Sequence, residues 1–197
     1  MIVGLTGGIG SGKTTAAGFF KKLGIPIYIA DDRAKFLMNN SEDIKREIQN
    51  LLGADAYTSE GLNRPYVAKK VFSDKNLLAK LNNIVHPEVD KDFKEWYEAQ
   101  ASPYVIKEAA ILFENGGYKK CDYIVVVTAP LEDRVERVIK RDKVSSAEVL
   151  KRINNQWPDV RKISLSDAVI NNTALSQLEP QVKRIHNHLI VRLERRW

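Results

Sequence analysis

Two apolar patterns alternate along this chain. Unbroken apolar runs predict short, fully buried strands at Met1-Ile2-Val3-Gly4-Leu5-Thr6, at Ile27-Tyr28-Ile29 and from Tyr104 to about Glu108. The clearest is Tyr123-Ile124-Val125-Val126-Val127-Thr128, whose β-branched run suits a parallel sheet covered on both faces. Asp167-Ala168-Val169-Ile170 predicts a last, short strand. Between these runs the apolar positions recur at three and four residues, as helices require. Lys13–Leu23 predicts the first helix, ended by Gly24-Ile25-Pro26. Leu131, Val135, Val138 and Ile139 form the stripe of a helix opened by Pro130. Ser145–Trp157 predicts another, stopped by Pro158, and Leu178, Val182, Ile185, Leu189 and Leu193 a closing helix.

The stretch from about Asp31 to Gln100 differs. It is helical and charged, with no strong strand signal, and predicts helices at Ser41–Leu52, Pro65–Phe72 and Lys75–Ala101, the last interrupted at His86-Pro87. Strands alternating with helices make a parallel α/β sheet with right-handed crossovers. The helical stretch then reads as an insertion placed to hold a second substrate.

At 197 residues and 44% hydrophobic, the chain suffices for one globular unit with a sizeable core. Its net charge of +6 sits mainly in residues 101–197, at +5 against +1 for residues 1–100. That bias suits a polyanionic substrate, although a solvated basic surface has the same composition. Cys121 is the single cysteine, so neither an intramolecular disulfide nor a cysteine zinc cluster can form. With no basic apolar leader and no long apolar run, the expected setting is the cytoplasm, away from membranes.

The chemistry concentrates at Gly7-Gly8-Ile9-Gly10-Ser11-Gly12-Lys13-Thr14, which fits G-x-x-x-x-G-K-[ST] between a strand and a helix start. Glycines let backbone N–H groups turn inward around phosphates, and the helix N-terminus adds partial positive charge. The backbone of Gly10, Ser11, Gly12, Lys13, Thr14 and Thr15 would cradle the phosphates of ATP. Lys13 reaches the β- and γ-phosphates, and the Thr14 hydroxyl can sit on Mg²⁺. Arg134, Arg137 and Arg141 share a helix face and can offer planar donors to a triphosphate, unless Glu132, Asp133 and Glu136 simply pair with them. Asp31 and Asp32 follow the second strand, where a ligand crevice opens, but they also suit a helix first turn. Arg64 and His86 are the polar residues to watch in the insertion; alone, each reads as a surface or capping residue. No D-x-x-G or N-K-x-D occurs, which disfavours a GTPase, and the strand ending at Thr128 lacks the acid of a motor-type ATPase. A small kinase of the nucleoside or nucleotide type remains.

The chain resembles the dephospho-CoA kinase family over nearly its whole length. The likeness rests on Leu5–Lys13, Ala30-Asp31, Leu62-Asn63-Arg64, Val71-Phe72, Ile84-Val85-His86-Pro87 and Leu112-Phe113-Glu114. It continues through Arg137, Arg141-Asp142, Arg152, Gln156, Val169-Ile170 and Asn172. The family commonly has Asp-Ala-Asp after the second strand, where this chain has Ile29-Ala30-Asp31 and an extra Asp32. A usual proline is Ala110 here, and an Asp-Asn-x-Gly-like turn reads Asn171-Asn172-Thr173-Ala174.

The resemblance implies a P-loop kinase-type fold: a parallel five-stranded sheet flanked by helices, a helical acceptor-binding insertion (about 31–102) and a helical lid (about 131–165), the core being about 1–30, 103–130 and 166–197. It implies ATP-dependent phosphorylation of the ribose 3′-hydroxyl of dephospho-CoA, the last step in making coenzyme A. Asp31, Lys13 and Arg141 would be catalytic. Gly10, Ser11, Gly12, Thr14, Thr15, Arg137 and Asn172 would hold ATP, with Thr14 on Mg²⁺, and Arg64 and His86 would help Asp31 hold the acceptor. The rivals are another small-molecule kinase on the same scaffold and a nucleic-acid-binding module using Arg192, Arg195 and Arg196. Neither an aromatic stacking platform nor a zinc motif favours the second, so no nucleic-acid partner is expected. Trp157 and Trp197 read as packing residues.

Overall fold

The computed structural model describes residues 1–72 and 74–195. Five strands, β1 (Ile2–Thr6), β2 (Ile27–Ile29), β5 (Val105–Glu108), β6 (Tyr123–Thr128) and β7 (Ala168–Asn171), form one parallel sheet in the order β2-β5-β1-β6-β7. Two further strands, β3 (Tyr57–Thr58) and β4 (Gly61–Leu62), pair as a small antiparallel hairpin. The first connection from β1 runs to β2 on one side, while β6 pairs with β1 on the other. A ligand crevice is expected where crossovers diverge in this way, outside the carboxyl ends of the strands.

The chain divides into two compact units, residues 1–29 with 100–197, and residues 30–99. In the first, the helices α1 (Lys13–Lys22) and α9 (Leu175–Glu194) pack on one face of the sheet. Val3, Leu5, Ile106, Val125, Val127 and Ile170 meet Ala17, Phe20, Leu178, Val182 and Leu189 there. On the other face Ile124 and Val126 pack with Phe113, backed by Tyr118, Cys121 and Trp157. Both faces of β6 are thus covered, which is why its sequence is an unbroken apolar run. The remaining helices of this unit are α6 (Leu131–Asp142), α7 (Ser146–Asn154) and α8 (Asp159–Ser164).

The second unit holds the β3–β4 hairpin with α2 (Ala30–Asn40), α3 (Glu42–Leu52), α4 (Arg64–Phe72) and α5 (Lys75–Glu98). The helix α3 is capped by Ser41, whose hydroxyl accepts the Ile44 N–H, and buries Ile44, Ile48 and Leu52 on one face.

Three details correct the sequence reading. The helix α5 runs unbroken through His86-Pro87. A proline removes one backbone bond and normally kinks a helix, but Val85 and Val89 on either side are buried, and α2, α3 and α4 all pack along this helix. The β3–β4 hairpin has strands of two residues, too short to show an alternating pattern. Finally, α7 ends at Asn154, with Asn155 as its C-cap. A residue before proline is pushed out of the helical region, so Gln156 and Trp157 lie in the turn before Pro158 and outside the helix predicted to reach Trp157.

Candidate active site

The glycine-rich turn follows β1 directly, and Gly12 is the N-cap of α1 with φ 95. That left-handed conformation favours glycine. It is also enforced by packing, because a Cβ on Gly12 would overlap the amide nitrogen of Asn172. No side chain caps α1 and its first turn holds no acidic residue. The opening N–H groups of a helix have no intrahelical partner and attract anions. Inside the turn, Ser11 N–H bonds to the Gly8 carbonyl at 3.1 Å. The hydroxyls of Thr6 and Ser11 are buried with no hydrogen-bond partner among the described residues. An uncapped helix start under a glycine turn fits a phosphate group.

Three carbonyls of the turn, those of Ile9, Gly10 and Ser11, accept hydrogen bonds from side chains. Asn172, buried just after β7, donates its amide to the Ser11 carbonyl at 2.8 Å. Arg137 donates to the carbonyls of Asn172 at 3.1 Å and Gly10 at 3.5 Å, and pairs with Asp133 at 3.4 Å. Arg134, one turn earlier on α6, is buried; its Nε donates to the Ile9 carbonyl at 2.9 Å and its Nη1 to Asp159 at 3.0 Å. Gln156 accepts the Ile9 N–H at 2.8 Å.

The shared arginine face therefore splits. Arg134 and Arg137 meet the loop backbone, whereas Arg141, at the end of α6, is exposed and doubly bonded to Asp142, at 2.7 and 3.1 Å. Arg152 joins the same carboxylate at 2.9 Å. Hydrogen bonding from Arg141, ahead of the other nearby charges, holds the Asp142 carboxyl below its ordinary range.

Asp31, Arg64 and His86 belong to the second unit. Asp31 is exposed in the first turn of α2, which continues from β2 without a loop, and beside it Asp32 pairs with Lys35 at 2.8 Å. Arg64 is exposed at the start of α4, and His86 is half-buried in α5. Gly10, Ser11, Gly12, Lys13, Thr14 and Thr15 all lie in the turn and the first turn of α1. The structure thus joins the loop, Arg137 and Asn172 into one network and places Arg141 in another.

Of the residues that hold the turn, Asp159 alone gave no sequence signal; Arg134 was visible as one of three arginines on a face, and Gln156 only among the residues that carry the family resemblance. Glu108 is a further miss. It is buried at the carboxyl end of β5, in register with Leu5 of β1 and Ile29 of β2. The acid absent at Thr128, on one neighbour of the P-loop strand, is present on the other. Among the described residues no group of three His, Cys, Asp or Glu could hold a metal. Mg²⁺ at phosphate sites needs only one or two protein oxygens, the rest being water and phosphate; the Thr14 hydroxyl and the Glu108 carboxylate are oxygen donors of that kind.

Behind this layer, Glu114 and Lys162 form a buried ion pair at 3.0 Å, and the same Glu114 oxygen accepts the Trp157 N–H at 2.8 Å. Trp157 stacks on Phe113 and is covered by the Arg161 guanidinium, a packing role. Burial pushes the Cys121 thiol up to about 11, leaving it unreactive at neutral pH. Arg192 lies over Tyr123, while Arg196 and Trp197 fall outside the described residues.

The model of the family described as CoaE, dephospho-CoA kinase, matches residues 1–177. A dephospho-CoA kinase of Porphyromonas gingivalis is 39% identical over 187 residues, 93% of this chain and 91% of that protein. The crystal structure of TT1252 from Thermus thermophilus superposes with a TM-score of 0.88 at 33% identity, over 95% of this chain and 96% of the other. A dephospho-CoA kinase from Campylobacter jejuni shares the fold, with a TM-score of 0.67 at 23% identity over 95% of this chain and 96% of that one.

Proposed function

The chain belongs to the dephospho-CoA kinase family, ATP-dependent phosphotransferases that act on an alcohol group, and we propose the following roles for its residues. Backbone N–H groups of Gly10 and of Gly12 to Thr15 bind the phosphates of ATP, the Ser11 N–H being taken by the Gly8 carbonyl, and Lys13 bridges the β- and γ-phosphates. Arg137 and Arg141 face the triphosphate, Arg141 after release from Asp142, and Asn172 keeps the loop in shape. Asp31 receives the acceptor. Its carboxylate orients the ribose 3′-hydroxyl of dephospho-CoA and takes its proton as the oxygen bonds to the γ-phosphorus, while the bond from that phosphorus to the β,γ-bridging oxygen breaks and ADP leaves. The transition state of such transfers is loose, so positioning counts for more than base strength. Arg64 and His86 help hold the acceptor.

Thr14 and Glu108 would hold Mg²⁺, which when bound neutralises charge on the β- and γ-oxygens. We place the reaction in the cytoplasm. Among the described residues no helix is long and apolar enough to cross a membrane. ATP and dephospho-CoA are the expected partners, with no nucleic acid. The same roles divide the chain into a core, an acceptor-binding insertion at about 31–102 and a lid at about 131–165.

The observation that carries this reading is the uncapped start of α1 under a glycine turn, within a chain that matches the family over residues 1–177. ADP release from ATP, measured with dephospho-CoA, adenosine and other nucleosides in turn, tests it. Release stimulated by dephospho-CoA alone is expected. Equal stimulation by a nucleoside would move the chain to another kinase activity.

A further inference from the structure

Ile9 is the one non-glycine in Gly7-Gly8-Ile9-Gly10, and side chains far along the chain hold both of its backbone polar groups. Gln156 Oε1 accepts its N–H at 2.8 Å, and Arg134 Nε donates to its carbonyl at 2.9 Å. Each of these side chains is itself tied down. Arg134 is buried and bonded to Asp159 at 3.0 Å, and its second amino group lies so close to Gly8 that a Cβ there would overlap it. Gln156 donates its Nε2 to the Ala110 carbonyl at 3.4 Å.

These bonds fix more than Ile9. In a trans peptide the carbonyl and the following N–H point in opposite directions, and the described residues contain no cis peptide bond. Holding the Ile9 carbonyl toward Arg134 therefore turns the Gly10 N–H away from Arg134. Holding the Ile9 N–H toward Gln156 turns the Gly8 carbonyl the other way, where it accepts the Ser11 N–H. With glycine on each side, neither plane has a strong preference of its own. Gly10 is also the first of the N–H groups assigned to the phosphates.

We infer that Arg134 and Gln156 are positioning residues for the donor site, which lock the two peptide planes flanking Ile9 and so present the Gly10 N–H to the phosphates of ATP before the nucleotide arrives. This rests on the proposed reading of the loop as the ATP site. Neither side chain needs to touch the nucleotide. Asp159 acts one step further back, by orienting Arg134. A cavity of about 260 Å³, lined by residues that include Arg134, Gln156 and Asp159, adjoins the pair.

The test uses Arg134→Lys, Gln156→Met and Gln156→Glu in the full chain, with melting temperature, ATP affinity by direct titration, and separate KM values for ATP and dephospho-CoA. Lysine keeps the charge for Asp159 but cannot also reach Ile9 with a planar fork. Methionine removes the acceptor of the Ile9 N–H, while glutamate keeps it. Arg134→Lys and Gln156→Met should each lose ATP affinity about tenfold, the effect of one hydrogen bond. Their melting should stay near wild type and their KM for dephospho-CoA should not change. Gln156→Glu keeps the acceptor for the Ile9 N–H but turns an oxygen in place of an N–H toward the Ala110 carbonyl, so it should lose less ATP affinity than Gln156→Met. Wild-type ATP affinity in folded Arg134→Lys and Gln156→Met would overturn the inference. So would a loss that follows melting temperature and moves both KM values together. The ATP titration needs no acceptor, so a wild-type chain that binds ATP without phosphorylating dephospho-CoA would remove the functional reading and leave this one standing.

Discussion

The Asp142 carboxylate takes two hydrogen bonds from Arg141, at 2.7 and 3.1 Å, and a third from Arg152 at 2.9 Å. An arginine assigned to a triphosphate thus rests on a competing anion one residue away. Asp142→Asn removes the competitor's charge. Exposed ion pairs contribute up to about 1 kcal/mol, so KM for ATP should fall by up to about fivefold with kcat little changed. A rise in KM would mean that Asp142 aims Arg141 instead of restraining it. The pH dependence follows from the lowered Asp142 pKa. The pair's stabilisation is fully present above the unfolded carboxyl value of about 4 and is lost as pH falls through the lower folded value. ATP binding should therefore show no step from Asp142 between pH 5 and 8, as roughly one unit above that value leaves it charged.

Asp31 is the proposed acceptor carboxylate, exposed in the first turn of α2. Asp31→Asn should reduce kcat about a hundredfold or more, the lower range for general base catalysis, with KM for ATP unchanged. Steady-state kinetics on both substrates would settle it; wild-type turnover removes Asp31 from the mechanism.

The pair of Glu114 and Lys162 is a matter of stability, since Lys162 is fully buried and Glu114 is its ion-pair partner. Removing one partner strands a charge and costs about 3–5 kcal/mol. Glu114→Gln and Lys162→Met should each show this in denaturant unfolding, whereas the double variant should be less destabilised than the sum of the two. Additive losses would show that the pair is not coupled.

How much of this was legible in the sequence depends on how far apart the interacting residues lie. The loop from Gly7 to Thr14 is contiguous, and the strand–turn–helix context around it is local, so the phosphate site could be read directly. The five strands were equally plain, because a run such as Tyr123–Thr128 is apolar for a reason that acts on both faces of one strand. Arg134 and Ile9 lie 125 positions apart and Gln156 and Ile9 lie 147 apart. Only packing brings such pairs together, and no periodicity encodes it. Glu108 closes a strand whose Lys107 and Glu108 broke the apolar pattern, so it did not stand out as an acid at a strand end. Pro87 misled for the opposite reason: a strong local signal was overridden by the buried flanks at Val85 and Val89.

Lys143 ends α6 with φ 54, the only positive φ at a non-glycine among the described residues. Left-handed backbone is strained for a side chain with a Cβ and relaxed for glycine. Lys143→Gly should stabilise the protein by about 0.5–1 kcal/mol, part of the gain being offset by the freer unfolded chain. Thermal unfolding should register it as a rise of about 1–4 °C. A fall would show that the Lys143 side chain contributes more than its backbone costs.

The central claim is transfer of the γ-phosphoryl group of ATP to one particular hydroxyl. Incubation of the full chain with Mg²⁺ and γ-labelled ATP, with either dephospho-CoA or its 3′-deoxyribose analogue, measures that most directly. Label should pass to dephospho-CoA and not to the analogue. Equal labelling of the analogue, or label found only in free phosphate, would contradict the account.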